Sequence, residues 1–309
     1  MQQTKQYNYK QSPLYKLSSK QKLATLLILS TSDLDRLENL TKNNEGIYSV
    51  FTVGDKKREI QNPVHRLLVK TQKRLFVLLK RFELPDYVMS GKKGISYISN
   101  AELHKDSKFV LTMDIEHFYA TTKGEFVFQF FLHKMEMASD LAHILTNIST
   151  YRDPSNGNRK IPTGSVLSQL LAFWAYSDMF NSISKLARKN NYIFSLYVDD
   201  MTFSSNTPIP RDFHKSVEEI LNRKKLRFKR SKIRYYNESQ PKKITGLIIT
   251  SDSKICIPNK RLKETSEAIG KALSPLAPQS EKASALGKIN SIQQIMPQIF
   301  KKPAKQISK

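Results

Sequence analysis

Two adjacent carboxylates, Asp199 and Asp200, lie at a bend between two short apolar runs of the sequence. The runs cover residues 192–198 and 201–204 and have the character of strands, in which successive side chains point to opposite faces. A tight turn is therefore needed to bring both acids to one point. Neighbouring anions in an apolar setting repel each other, and a divalent cation such as Mg²⁺ removes that cost because it prefers carboxylate and phosphate oxygens. The alternative for this pair alone is a surface hairpin with solvated acids.

A third carboxylate, Asp114, stands near the end of the buried-strand pattern of residues 110–115. A desolvated carboxylate without a partner is strongly disfavoured, so Asp114 needs a cation close to it. A salt bridge to lysine or arginine is one interpretation. A metal cage formed with Asp199 and Asp200 is the other, because two metal ions in such a cage can activate an attacking hydroxyl and stabilise a leaving pyrophosphate.

The charge of the chain is strongly unbalanced, since its 309 residues include 51 Lys and Arg against 27 Asp and Glu, a formal net charge of +24. Such an excess repels itself unless a polyanion neutralises it, which makes nucleic acid the leading partner and an anionic membrane surface the alternative. No apolar run approaches the roughly 20 residues that span a bilayer, and the first residues lack the pattern of a signal peptide. The single cysteine, Cys256, excludes an internal disulfide framework and suits a reducing cytosol, and no Cys/His cluster has zinc-ligand spacing.

The elements that must position the three acids are predicted from apolar periodicity and capping residues. The predicted helices cover residues 19–28, 32–40, 63–82, 95–104, 123–134, 138–149, 165–189, 211–227 and most of the chain after 258. The predicted strands cover residues 47–54, 58–61, 109–115, 192–198, 201–204, 228–236, 243–250 and 254–257. This irregular alternation, with both long and hairpin connections, favours an α+β fold with a mostly antiparallel sheet.

Short motifs occur around these acids in a fixed order. They are Asp114 with Phe118 and Tyr119, then Pro162-Thr163-Gly164, then Tyr197-Val198-Asp199-Asp200. Two further stretches are Asn100-Ala101-Glu102-Leu103-His104 and Ile244-Thr245-Gly246. On the first series the chain resembles the reverse transcriptases over about residues 58–246, and on the two further stretches it resembles the retron type in particular.

The resemblance implies a right-hand polymerase architecture with fingers, a palm built on an antiparallel sheet, and a helical thumb. Residues 1–18 are then expected to form a mobile basic N-terminal arm, and residues 19–107 the fingers with a retron-specific insertion. Residues 108–250 are expected to form the palm, with finger-like helices near 123–160. Residues 251–309 are expected to form the helical thumb and a disordered basic tail.

The resemblance also assigns the acidic cluster. It implies that Asp114, Asp199 and Asp200 are catalytic residues that bind two Mg²⁺ ions, with the backbone carbonyl of Ile115 as a further ligand. These oxygen donors are of the type that a hard cation prefers.

Four residues are assigned by resemblance to the incoming nucleotide. Arg58 matches a fingertip arginine that grips the triphosphate, for which a planar guanidinium is suited because it binds phosphate oxygens in pairs. Tyr119 matches the aromatic steric gate against a ribose 2′-OH, and an ordinary core aromatic is the alternative. Gly164 permits close approach of the backbone to nucleotide or template. Lys232 matches a lysine that protonates the leaving pyrophosphate, and a simple phosphate contact is its alternative.

The two retron signatures carry four candidate nucleic-acid contacts. Asn100 and His104 are four residues apart, which places them on one face of a helix. They either contact RNA or DNA or act as a polar clamp that satisfies buried groups beside the strand at 109–115. Thr245 and Gly246 carry the same ambiguity, because a glycine after a strand often only makes a turn.

The function implied by the resemblance is RNA-directed DNA synthesis by two-metal phosphoryl transfer in the bacterial cytoplasm. The expected partners are dNTPs, a cognate structured noncoding RNA as template and primer, and the branched multicopy single-stranded DNA made from it. A toxic effector protein in an antiphage system is a further expected partner, and no membrane is expected. The alternatives are another bacterial defence or intron-type reverse transcriptase and a non-catalytic nucleic-acid-binding scaffold.

Overall fold

The computed structural model describes residues 6–44, 46–54 and 57–307. Its α-helices are α1 (Lys20–Leu27), α2 (Thr31–Asn43), α3 (Arg66–Leu79), α4 (Tyr97–His104), α5 (Phe118–Thr121), α6 (Gly124–Gln129), α7 (Ser139–Ser149), α8 (Ser168–Ala175), α9 (Ser177–Lys189), α10 (Phe213–Asn222), α11 (Asn259–Ala272), α12 (Gln279–Gln293) and α13 (Lys301–Ile307). Its strands are β1 (Tyr48–Val53), β2 (Arg58–Pro63), β3 (Phe109–Asp114), β4 (Tyr151–Arg152), β5 (Arg159–Lys160), β6 (Ile193–Tyr197), β7 (Asp200–Ser205), β8 (Arg234–Tyr236), β9 (Lys242–Ile244), β10 (Leu247–Ile249) and β11 (Ile255–Cys256). Helices and antiparallel strands therefore alternate irregularly, as predicted.

The central element is a four-stranded antiparallel sheet in the order β6–β7–β3–β8. Both faces of β3 are covered, because Leu111 and Met113 pack into the main core while Val110 packs into a second apolar cluster. This second cluster contains Ile244 and Leu247 of a separate sheet, whose order is β11–β10–β9. The strand that carries Asp114 is thus held between two cores.

Two predicted elements are divided in the structure. The apolar run 165–189, predicted as one helix, forms α8 and α9, because the backbone leaves helical geometry at the buried Tyr176 (φ −116°, ψ 14°). The run 243–250, predicted as one strand, forms the hairpin β9–β10 because Thr245 and Gly246 both have positive φ, 43° and 81°. Strands β9 and β10 pair with β11 in a sheet separate from the central one.

The predicted helix from Pro63 was placed too early. Pro63 pairs with Tyr48 at the end of the β1–β2 hairpin, and the N–H of Val64 still donates to the carbonyl of Ile47 (2.9 Å). Strand pairing therefore overrides the preference of proline for the first turn of a helix, and α3 begins at Arg66.

The prediction of a mobile N-terminal arm is wrong for residues 6–18, and residues 1–5 lie outside the described residues. Leu14 is fully buried, and the N–H of Tyr7 donates to the carbonyl of Arg81 (2.9 Å). The guanidinium of Arg81 also lies 4.7 Å from the centre of the Tyr7 ring. The apolar side chains of this basic segment therefore dock it against the end of α3.

The C-terminal region is helical, as predicted, and extends further than expected. Helices α11 and α12 pack through a small core that includes Ile269 and Ile289. The expected disordered tail forms α13 up to Ile307, whose side chain is buried in that same core. Among the described residues, no helix combines the length and the apolar character needed to cross a membrane.

The β1–β2 hairpin joins the central part of the protein through a tight backbone junction at Gly164. The N–H of Gly164 donates to the carbonyl of Gln61 (3.1 Å), and a Cβ at this glycine would lie only 2.8 Å from that oxygen. Thr163 reinforces the junction, because its Oγ1 donates to the carbonyl of Glu59 (3.0 Å). The hairpin is thus fixed at its base rather than hinged freely.

Replacing Gly164 by alanine should destabilise the fold by about 1–3 kcal/mol, because the added methyl group meets backbone that cannot move aside cheaply. The matched control is Gly270→Ala in α11, where an added Cβ meets open space. That change should stabilise the protein by up to about 1 kcal/mol, because alanine is the better helix former. Denaturant unfolding of both variants measures the difference, and equal effects would contradict the junction.

Candidate active site

The structure brings the three predicted acids to the same end of the central sheet. Asp114 at the end of β3 lies directly opposite Asp200 at the start of β7, and Asp200 in turn pairs with Tyr197 across the β6–β7 turn. Asp199 lies in that turn, and its carbonyl accepts the N–H of Ile115 (3.2 Å). Backbone pairing therefore fixes the positions of all three acids relative to one another.

The turn that presents Asp199 is strained. Val198 adopts φ 61°, a left-handed conformation that is unfavourable for a β-branched residue. Its N–H donates to Oγ of the buried Ser90 (3.0 Å), so the turn is held from outside the hairpin. Ser90 was not predicted from the sequence, because an isolated serine carries no pattern.

Burial and mutual repulsion raise the cost of negative charge in this cluster. Burial first, and then the charge of Asp199 and a hydrogen bond with Asp114, raise the pKa of Asp200 to about 7. Burial and the charge of Asp114 also raise the pKa of Asp199. The cluster is therefore a site where a cation would relieve an existing electrostatic penalty.

Lys232 supplies one cation to this cluster. It lies in a 3₁₀ turn at Arg230–Lys232, and its Nζ forms an ion pair with Oδ2 of Asp114. Burial alone would lower the pKa of Lys232, but the hydrogen bond and charge of Asp114 raise it overall. The salt bridge considered as an alternative for Asp114 is thus present within the acidic cluster itself.

The donor atoms suit a hard cation, although they are not arranged as a complete metal site. Within residues 6–44, 46–54 and 57–307, no group of three His, Cys, Asp or Glu side chains meets the spacing of a metal site. Lys232 occupies one oxygen of Asp114 in this arrangement. The carbonyl of Ile115 is left out of the neighbouring backbone pairing, whose bonds use the carbonyl of Asp114 and the N–H of Glu116. Carboxylate and carbonyl oxygens fit Mg²⁺.

Arg58 and Tyr119 both lie within electrostatic reach of Asp199. The exposed Arg58 begins β2, and its positive charge works against the raised pKa values of both Asp199 and Tyr119. Burial, together with the charge of Asp199, raises the pKa of Tyr119 to about 12. The Tyr119 ring also contacts that of Phe118, with a centroid distance of 5.9 Å. The contact with Phe118 fits the core interpretation of the half-buried Tyr119 ring, and its role as a steric gate stays a prediction.

The reason given for Gly164 needs correction. The space in which its Cβ would lie is filled by the backbone of Gln61 and Asn62, not left open toward a ligand. The close approach of the β2 backbone therefore explains why residue 164 is a glycine. A nucleotide contact by Gly164 stays a prediction.

Asn100 and His104 are fully buried, and a nucleic-acid contact by these side chains stays a prediction. His104 hydrogen bonds through Nδ1 to Ser204 Oγ (2.7 Å) and through Nε2 to Ser195 Oγ (2.8 Å). These serines belong to β7 and β6, so α4 is bonded directly to the hairpin that carries Asp199. The alternative, a polar clamp, is what the structure shows. Ser195, the one serine in the otherwise apolar strand β6, was a sequence signal that could have indicated it.

The second signature meets the first. Thr245 Oγ1 donates to the carbonyl of Tyr97 (3.0 Å) and accepts from Asn100 Nδ2 (3.5 Å). Gly246 is exposed in the same turn, and its positive φ of 81° explains the need for glycine. Thr245 is therefore bonded within the protein, while a nucleic-acid contact by the exposed turn stays a prediction.

A family comparison and a search of known proteins find similarity to the same kind of protein. Residues 56–249 match the family described as reverse transcriptase (RNA-dependent DNA polymerase). The retron Se72 reverse transcriptase of Salmonella heidelberg is 26% identical over 69% of this chain and 57% of its own length. The retron Ec83 and Ec86 reverse transcriptases of Escherichia coli are 22% and 27% identical, over 66% and 71% of this chain and 68% and 67% of their own lengths. The alignment thus spans little more than half of the Se72 protein.

Replacing His104 by alanine should destabilise the fold by about 2–4 kcal/mol at pH 7, because it opens a buried cavity and removes the hydrogen bonds to Ser195 and Ser204. The exposed His133 is the control, and its replacement by alanine should change stability by less than about 0.5 kcal/mol. Chemical denaturation followed by circular dichroism measures both. Similar values for the two variants would count against the clamp.

The same variant should show a specific pH dependence. Burial lowers the pKa of His104 from 6.5 to about 3. Between these pH values the imidazole is therefore protonated in the unfolded chain and neutral in the folded protein. The contribution of His104 is therefore complete above pH 6.5 and is lost as the pH falls toward 3. The stability gap between wild type and His104→Ala should narrow over that range.

Replacing Asp200 by asparagine should stabilise the metal-free protein by about 1–3 kcal/mol at pH 8, because it removes a buried charge. The folded-state pKa of about 7 lies above the ordinary value of 3.8, so the penalty grows as the pH rises between these values. The gain should vanish near pH 4. Millimolar Mg²⁺ should raise the melting temperature of the wild type and not that of Asp200→Asn. Stabilisation of both proteins by Mg²⁺ would show that the ion binds elsewhere.

Proposed function

Because this chain belongs to the reverse transcriptase family, we propose that it synthesises DNA on an RNA template at the Asp114, Asp199 and Asp200 cluster. The observation that carries the proposal is the register that places Asp114 opposite Asp200 beside the strained turn at Asp199. A right-hand polymerase fold agrees with the family match and with the antiparallel central sheet.

The residues of the chain divide the work of phosphoryl transfer. Asp114, Asp199, Asp200 and the carbonyl of Ile115 would hold two Mg²⁺ ions, which supply activation of the attacking hydroxyl and neutralisation of the phosphate charge. Their raised pKa values mean that Asp199 and Asp200 gain most from a bound cation. Binding of a metal ion by Asp114 would break the ion pair with Lys232 and free the ammonium group of Lys232.

Three further side chains then act on the nucleotide. The exposed guanidinium of Arg58 can bind the triphosphate oxygens in pairs, since it projects from a hairpin whose base is fixed at Gly164. The half-buried ring of Tyr119 is backed by Phe118 and so can exclude a ribose 2′-OH by contact. Lys232, released from Asp114, can donate a proton to the leaving pyrophosphate.

The finer proposal is that the enzyme copies its own structured noncoding RNA in the bacterial cytoplasm. Priming from a guanosine 2′-OH would give branched multicopy single-stranded DNA, and the complex would restrain a toxic effector as part of an antiphage system. The relatives named as retron reverse transcriptases support this branch. So do the two signatures that meet at Asn100 and Thr245.

A non-catalytic nucleic-acid scaffold is the second candidate, and the ion pair between Lys232 and Asp114 is the observation that favours it. That pair neutralises one acid without any metal. It leaves the raised pKa values of Asp199 and Asp200 unexplained, because a scaffold gains nothing from two buried acids side by side. The polymerase therefore accounts for more of the site.

The test is DNA synthesis by the purified full chain with the RNA transcribed from the region directly upstream of its coding frame, Mg²⁺ and dNTPs. Asp199→Asn should reduce synthesis by about 10³-fold or more, because it removes charge where transition-state stabilisation acts. The exposed Asp106, replaced by asparagine, is the control and should leave synthesis unchanged. Synthesis that survives Asp199→Asn, or a wild type that binds RNA without incorporating dNTPs, would refute the proposal.

A further inference from the structure

Gln61 is a buried polar residue of β2, and its side chain takes no part in the chemistry proposed for the site. Its exposed fraction is 3%, whereas Arg58 and Glu59 at the start of the same strand are exposed. A buried amide must place both a donor and an acceptor. Oε1 of Gln61 accepts the N–H of Thr163 (3.1 Å), and its Nε2 donates to Oε1 of Glu59 (2.5 Å). The amide therefore joins two segments of the chain.

The bond to Glu59 bears on the charge next to Arg58. Successive side chains of a strand point to opposite faces, so Glu59 shares a face with Gln61 while Arg58 lies on the other. Oε1 of Glu59 also lies 3.7 Å from Nζ of Lys160, whose nearer partner is Asp153 (2.8 Å). Of the side chains that the structure describes, no carboxylate lies within 4.0 Å of the Arg58 guanidinium. The neighbouring acid is thus bonded across the strand, and Arg58 stays free for another anion.

The bond to Thr163 fixes the strand that carries Arg58. Oγ1 of Thr163 accepts the backbone N–H of Gln61 (3.3 Å) and lies 3.1 Å from its Oε1. Gln61 therefore meets Thr163 through backbone and side chain, beside the junction at Gly164. Arg58 is only three residues from this anchor and acts electrostatically on Asp199. A shift of β2 at Gln61 would consequently move the guanidinium relative to the acidic cluster.

We propose that Gln61 is a positioning residue for nucleotide binding, which holds Glu59 away from Arg58 and fixes β2 at Thr163 before the nucleotide arrives. The inference rests on the proposed function, because Gln61 acts through the contact of Arg58 with the triphosphate. An amide suits both bonds, since it offers a donor to a carboxylate and an acceptor to a backbone N–H. Without it, nucleotide binding would have to order the strand and displace Glu59, and affinity would fall.

The first test measures binding of a dNTP analogue to the full chain with its upstream RNA and Mg²⁺. The analogue carries a methylene bridge between its α and β phosphates and so cannot release pyrophosphate. Gln61→Glu should weaken binding by about 5–20-fold, because it replaces the donor to Glu59 by a like charge. The matched control, Gln129→Glu at an exposed position of α6, should change binding by less than about 2-fold. Equal weakening in the two variants, or none in Gln61→Glu, overturns the proposal.

A swap of the two side chains separates positioning from a general loss of stability. Glu59→Gln/Gln61→Glu places the donor on residue 59 and the acceptor on residue 61, and should restore binding to within about 3-fold of the wild type. Glu59→Gln alone should have little effect, because its amide oxygen still accepts from Gln61. Gln61→Met removes both bonds without adding charge and should also weaken binding. Circular dichroism verifies that each variant is folded, and folded swap variants that fail to recover binding contradict the proposal.

DNA synthesis gives the second readout. Gln61→Glu should raise the KM for dNTPs while kcat stays within about 2-fold, because the lost interaction is one of binding. A lower kcat at an unchanged KM would place the effect in the chemical step and overturn the inference, as would a wild type that binds no analogue. If the wild type makes no DNA but its analogue binding depends on Gln61, the proposed function fails and the positioning role stands.

Discussion

Negative charge is concentrated at the paired ends of β3 and β7, and the surrounding elements hold the backbone there against its repulsion. Asp114 and Asp200 are opposite each other in the register, and Asp199 follows Val198 in the turn. Like charges at this separation oppose folding, as the raised pKa values of Asp199 and Asp200 indicate. Lys232 and Arg58 partly offset this repulsion, and the formal charge of +24 provides a favourable field for polyanions around it.

Because repulsion would separate the acids, the backbone around them is held from several directions. The N–H of Ile115 bonds to the carbonyl of Asp199, and Ser90 holds the N–H of Val198. Further from the acids, His104 bonds to both strands of the hairpin. Each contact comes from a different element, so the strain at Val198 is supported by tertiary structure rather than by the turn alone.

The sequence predicts local secondary structure well, but it predicts poorly how these elements pack against one another. Apolar periodicity located β3 and the hairpin around Asp199, because both patterns are strong and short. It could not divide the run 165–189, since apolar residues continue on both sides of Tyr176, where the backbone leaves helical geometry. Likewise, spacing placed Asn100 and His104 on one helical face but could not tell whether that face meets the core or a ligand.

The clamp changes what the two retron signatures mean physically. Helix α4 is bonded at its first turn to Thr245 through the carbonyl of Tyr97, and at its last residue to Ser195 and Ser204. A helix of two turns therefore connects the β9–β10 hairpin, which packs beside the C-terminal helices, to the hairpin that carries Asp199. Most of the polar groups of these signatures form hydrogen bonds within the protein. Their spacing is thus explained by bonds that hold the hairpin with Asp199 in place, while a nucleic-acid contact by the exposed Gly246 stays a prediction.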